Sequence, residues 1–292
     1  MNSFSFNRFG KMLRWVLSVN KRRILYVMAA SVVGVFMAEM ILLKMSSPYF
    51  PFKMLNQYGD VGAAVFAVTS LILVSTIVSG VNEKRKREAF LMLPASNLEK
   101  FLALMTYTSI VCVLGLFLAF VLGDSLRMAW FWISGPYTEA KVSYLDDYYY
   151  WWSSAIPEMV NRLTPNVLVA DSCNWFYLVM NLFVIAAIAV WTHSLLIIGG
   201  TLFRKYSFVI SCLVFILFWV IFVKTMHYLE LSMFTSTWEN GRYVSGEVGI
   251  PAYILAVLLP LLSVFNYWAS FRIFKGFQLI TNKWTNYDIL KR

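Results

Sequence analysis

The sequence predicts an all-α integral membrane protein with six transmembrane helices, an N-terminal amphipathic helix at the membrane interface and both termini in the cytoplasm. Three observations predict it. Of the 292 residues 60% are apolar and only 14% are charged, with a mean hydropathy of +0.66. A soluble domain carries about 25% charged residues. The apolar residues gather into six runs near the ~20 residues that a helix needs to cross the hydrocarbon layer. Lys and Arg also rise and fall from one connection to the next.

Before the first run, Phe9, Met12, Leu13, Val16 and Leu17 recur at helical spacing, with Arg8, Lys11 and Arg14 on the other face. That pattern is an amphipathic helix lying in the inner headgroup layer, a disordered basic tail being the alternative. The spans follow at 24–43, 61–81, 101–122, 175–199, 208–223 and 251–271 of a single membrane domain. The first is too long, and lacks a small-residue cleavage site, to be a removable signal peptide. The fifth is short without its flanks. The sixth contains Pro251 and Pro260, and proline within a span kinks it where neighbours re-satisfy the freed carbonyl.

Eighteen of the 25 Lys and Arg fall in the N-terminal tail, the connections after spans two and four, and the C-terminal tail. The other three connections hold seven, against ten acids. The positive-inside rule therefore puts the first four segments in the cytoplasm. The net charge of +10 reads as topology determinants and anionic-lipid contacts rather than as a nucleic-acid surface. The outer segment 123–174 is rich in aromatics, among them Trp130, Trp132, Tyr148 and Trp151. These either anchor it at headgroup level or build a small cap that contacts a substrate or partner. In 224–250, Gly241, Gly246 and Gly249 mark turns.

Signals for catalysis are absent. The chain has no phosphate-binding glycine loop, no C-x-x-C and no H-E-x-x-H, and its two histidines cannot build an ordinary zinc site alone. The three cysteines give no disulfide framework. His193, in span four, reads as a buried hydrogen-bonded imidazole or as a proton relay. Glu39 is the single acid within a span, where a charge is costly. It is either interfacial or paired, with Lys44 as a possible neighbour, or it lines a polar conduit.

The most informative stretch is Glu83–Lys100, EKRKREAFLMLPASNLEK. A charged run extends span two, Pro94 breaks the helix, and Ser96-x-x-Glu99 has the spacing of a capping box that starts span three. Read alone, it is a topology-setting loop with a helix cap.

Leu93-Pro94-Ala95-Ser96 followed after two residues by Glu99-Lys100-Phe101 resembles the LPaS-x-x-EKF signature of a family of bacterial ABC transporter permease-like membrane proteins. GGTLFRKY after span four (from Gly199) and FRIFK after span six (from Phe271) are similar to the same family. That family resembles type-2 ABC exporters. The resemblance implies a multi-pass permease subunit in the cell inner membrane, working as a homodimer or with a similar permease. It implies no enzymatic chemistry or cofactor on this chain, with ATP and Mg on a separate ABC ATPase subunit. It also implies that 83–100 couples to that ATPase. Glu83, Arg85, Arg87, Glu88 and Glu99 would supply charge there, Phe90 an apolar anchor, and Pro94 and Ser96 the shape. A non-transporting membrane scaffold or sensor is the alternative from another class.

Overall fold

The computed structural model describes residues 4–45, 51–80, 84–134, 154–163, 175–203, 206–239 and 242–276. Its helices are α1 (Phe6–Met45), α2 (Pro51–Gly80), α3 (Lys84–Met92), α4 (Asn97–Thr106), α5 (Cys112–Ser134), α6 (Ile156–Leu163), α7 (Trp175–Leu202), α8 (Ser207–Tyr228) and α9 (Ile250–Lys275). Strands β1 (Phe234–Glu239) and β2 (Arg242–Val248) lie between α8 and α9. Among the described residues, six helical stretches are long and apolar enough to cross a membrane. The chain is an α-helical multi-pass membrane protein.

Several elements differ from the sequence expectation. No break separates an interfacial helix from the first span, because α1 runs unbroken for 40 residues. At 1.5 Å per residue it is about 60 Å long, twice the hydrocarbon thickness. Its apolar stripe also turns partly inward, with Met12 and Val16 buried against the protein. The third span does not end at Leu122: α4, a π-helical turn at Tyr107–Val111 and α5 continue helically to Ser134. Residues 123–134, read as the start of an outer loop, are therefore helix. Trp130 and Trp132 are exposed on its last turns, while Tyr148 and Trp151 lie outside the described residues. Pro251 causes no kink. It sits in the first turn of α9 after the N-cap Gly249, where its missing N–H would have had no intrahelical partner. Only Pro260 is inside that helix.

The two strands form an antiparallel hairpin, with Glu239 opposite Arg242 and an irregularity between Phe234 and Ser236. The connecting residues in sequence are Asn240-Gly241, the pair favoured in two-residue hairpin loops. At the foot of the hairpin, a Cβ on Gly249 would stand 1.9 Å from the Ser232 carbonyl oxygen, so only glycine fits.

The chain divides into two compact units. The first comprises residues 1–19, 71–109 and 166–292, and the second 20–70 and 110–165. In the first, α7 and α9 pack along Val184, Ala187, Trp191, Ala252, Leu255 and Leu259. Trp191 stacks on Phe215 of α8, and Asn266 Nδ2 donates to Ser194 Oγ at 3.0 Å. Gly199 lets α8 approach, since a Cβ there would lie 1.8 Å from Ser211 Oγ. In the second unit, Val35, Ala63, Phe120 and Met159 join α1, α2, α5 and α6.

Candidate functional site

Two polar centres stand out, one in each unit. The first is the segment between α2 and α4. Its charged helix α3 ends at Met92, and the chain bends at Leu93–Ala95 with Ala95 N–H donating to the Leu93 carbonyl at 2.8 Å. Ser96 then caps α4. Its Oγ accepts from Glu99 N–H at 3.3 Å, and Glu99 Oε2 accepts from Ser96 N–H at 2.8 Å, so the predicted capping box is formed.

Glu99 does more than cap. Its Oε1 accepts from Ser5 N–H at 2.7 Å, and Arg8 reaches it with Nη2 at 2.9 Å and Nε at 3.1 Å. One fully buried carboxylate thus ties the start of α1 to the start of α4. The neighbouring Lys100 is also buried, and its Nζ donates to the Leu91 carbonyl at 2.7 Å. It thereby satisfies a carbonyl left over at the end of α3.

Phe90 is 2% exposed, with its ring 5.7 Å from Trp15 and 5.9 Å from Phe274. Phe101 packs on Phe271 and Phe274. Two motifs separated by 170 residues in sequence therefore meet in space. Phe90 and Glu99, named from sequence as contacts for a partner, both face inward. Among the described side chains of the segment, the exposed ones are Ala89, Met92 (82% exposed), Pro94, Asn97 and Leu98. Glu88 is half-buried. Glu83 lies outside the described residues, as do the side chains of Arg85 and Arg87.

The second centre surrounds Glu39. Arg127, with a fully buried side chain, donates from Nε to Glu39 Oε2 at 3.0 Å and from Nη2 to Asp124 Oδ1 at 2.6 Å. Its guanidinium lies 5.0 Å from the centre of the Tyr58 ring, in cation–π range. Asp124 Oδ2 accepts from Ser154 Oγ at 2.5 Å and from Ala155 N–H at 3.1 Å, so it also anchors the first turn of α6. Gly123 permits this arrangement. A Cβ there would come within 2.9 Å of Val35 Cβ and 3.1 Å of the Val32 carbonyl oxygen, so glycine lets α5 approach α1. Two carboxylates and one guanidinium, all buried, share a site beside a cavity of about 10 Å³, room for about one water molecule.

Of the open readings for Glu39, pairing is observed, but with Arg127. The side chain of Lys44 lies outside the described residues. Sequence reasoning missed Asp124 and Arg127 because both were assigned to a loop. The available signal was Asp124-x-x-Arg127, an i,i+3 pair with apolar residues continuing on both sides.

His193 Nδ1 lies 2.8 Å from Tyr267 OH and its Nε2 3.1 Å from Thr108 Oγ1, while Tyr267 OH also lies 3.5 Å from the Val190 carbonyl. Thr108 spends its own proton on the Leu104 and Met105 carbonyls at the π turn. The tautomer protonated on Nε2, with Tyr267 OH donating to Nδ1, gives each of the three side chains a partner. Among the described residues, no three His, Cys, Asp or Glu side chains converge as a metal site requires. Comparison of the chain with protein-family models, with curated proteins and with solved structures returned no match.

Proposed function

We propose that this chain is the transmembrane permease subunit of an ABC exporter, driven by a separate ATPase that docks on the segment between α2 and α4. One observation carries the reading. A short charged helix, a proline bend and a capped helix start form a shaped element that is fixed to both α1 and α9 through Glu99–Arg8 and Phe90–Phe274. A push on it reaches helices at the beginning and end of the chain without first folding a loop. In this reading the segment and both termini are cytoplasmic, as the Lys and Arg distribution expects. The basic end of α1 contacts the inner leaflet, and a second copy or a similar permease completes the pathway.

The inward orientation of Phe90 and Glu99 divides the roles. They hold the element's shape, while Met92, Pro94 and the charged turns of α3 meet the partner. Reversing Arg85 and Arg87 to Glu is expected to weaken ATPase copurification, since rim charges mainly govern docking. A photocrosslinker at Met92 is expected to give an ATPase adduct, and one at Phe90 is not. Unchanged copurification in the double reversal, with no adduct at Met92 in a correctly inserted protein, would refute the transporter reading and favour a scaffold.

A further inference from the structure

The short helix α6 is seated over the Glu39–Asp124–Arg127 centre by contacts of two kinds. At its start, Ser154 Oγ and Ala155 N–H are spent on Asp124, and Ile156 N–H donates to Ser154 Oγ at 3.2 Å. Along its length the helix lies against α2, where two glycines leave it room. A Cβ on Gly59 would lie 2.7 Å from Glu158 Cβ, and one on Gly62 3.4 Å from Met159 Cγ. Met159 is buried and joins the apolar cluster around Val35. At its far end Arg162 pairs with Asp60 at 2.9 Å, with side chains 42% and 59% exposed. An exposed pair of that kind holds weakly.

The seat is therefore firm in its polar pin, weak at its outer clasp and incompletely filled, because the cavity lies between Met159, Ile156 and the two carboxylates. Three ionisable groups kept buried in a membrane segment cost more than apolar residues of the same shape. They are compatible with the fold if the site reaches water in another state. We propose that α6 is a lid: its release from Asp124 opens the Glu39–Asp124–Arg127 centre to solvent, and its return closes it. The exchange on closing is balanced, since Asp124 gives up water donors and takes Ser154 Oγ and Ala155 N–H instead.

A locking disulfide tests this. The Cβ position on Gly62 is 3.6 Å from Met159 Cβ, within the roughly 3.5–4.5 Å span of disulfides. The pair Gly62→Cys and Met159→Cys would be introduced after replacing Cys112, Cys173 and Cys212 by Ser, in the full chain in lipid nanodiscs. Val35→Cys, nearly isosteric and lining the cavity, reports access through its rate of reaction with a small thiol reagent. Ala63→Cys, in the same cluster, is a second reporter should the first misfold. Oxidation of the pair is expected to slow labelling about tenfold or more by removing the open state, and reductant to restore it. Arg162→Ala is expected to speed labelling by up to about fivefold, the equivalent of a lost surface pair. Equal labelling rates in locked and unlocked protein, or failure of the pair to cross-link in monodisperse protein, would overturn the proposal.

Discussion

Replacing Arg127 by Met removes the guanidinium between Glu39 and Asp124 and leaves a side chain of similar length. The two carboxylates then face each other in a site where the arginine had been fully buried. Leaving buried charge without its partner typically costs about 3–5 kcal/mol. Asp124 keeps Ser154 Oγ and Ala155 N–H, so the lower half of that range applies. For a chain of this size each kcal/mol lowers the melting temperature by about 2–4 °C, so about 3–4 kcal/mol gives a drop of roughly 6–16 °C. Glu39→Gln is the control. It keeps the shape and leaves the Arg127–Asp124 pair at 2.6 Å, so it forfeits only the charge in one hydrogen bond, about 1 kcal/mol. Heating purified protein in detergent and measuring the monodisperse fraction by size exclusion ranks the two. If Arg127→Met melts within error of the parent, or Glu39→Gln is as damaging as Arg127→Met, the charge account of this centre is wrong.

Two further outcomes follow from local geometry. Ser96→Ala removes the acceptor for Glu99 N–H and is expected to cost about 1 kcal/mol, read as faster hydrogen exchange at the start of α4 with little effect elsewhere. Gly199→Val places methyl groups where a Cβ alone would already meet Ser211 Oγ at 1.8 Å. It is expected to destabilise by about 1–3 kcal/mol by overpacking, seen as a lowered melting temperature, and Ser211→Gly in the same chain is expected to recover part of the loss.

Features encoded within a few residues are legible in the sequence. The capping box at Ser96 and Glu99 depends on a three-residue spacing, and the six spans depend on run length and composition. What could not be read depends on partners distant in sequence. Phe90 has the look of an exposed anchor in a charged stretch, yet it is buried, with Trp15 and Phe274, both distant in sequence, packed on it. Asp124 and Arg127 interrupt an apolar run, so they read as its end. Each neutralises the other one turn apart, which is why the helix continues past them. The hairpin had a local signal in Asn240-Gly241, but its strands are short and their alternation is weak beside the surrounding apolar runs.

Two long-range charge contacts of α1 among the described residues also impose an order on synthesis. Arg8 waits for Glu99, 91 residues later, and Glu39 waits for Arg127, 88 residues later. At roughly 5–20 residues per second, α1 spends several seconds at the membrane with both charges unmatched. The same later stretch, Asn97–Ser134, brings both partners. Emergence of the third span therefore completes the first, and an interruption of translation before residue 127 would leave α1 inserted with a lone acid in its apolar half.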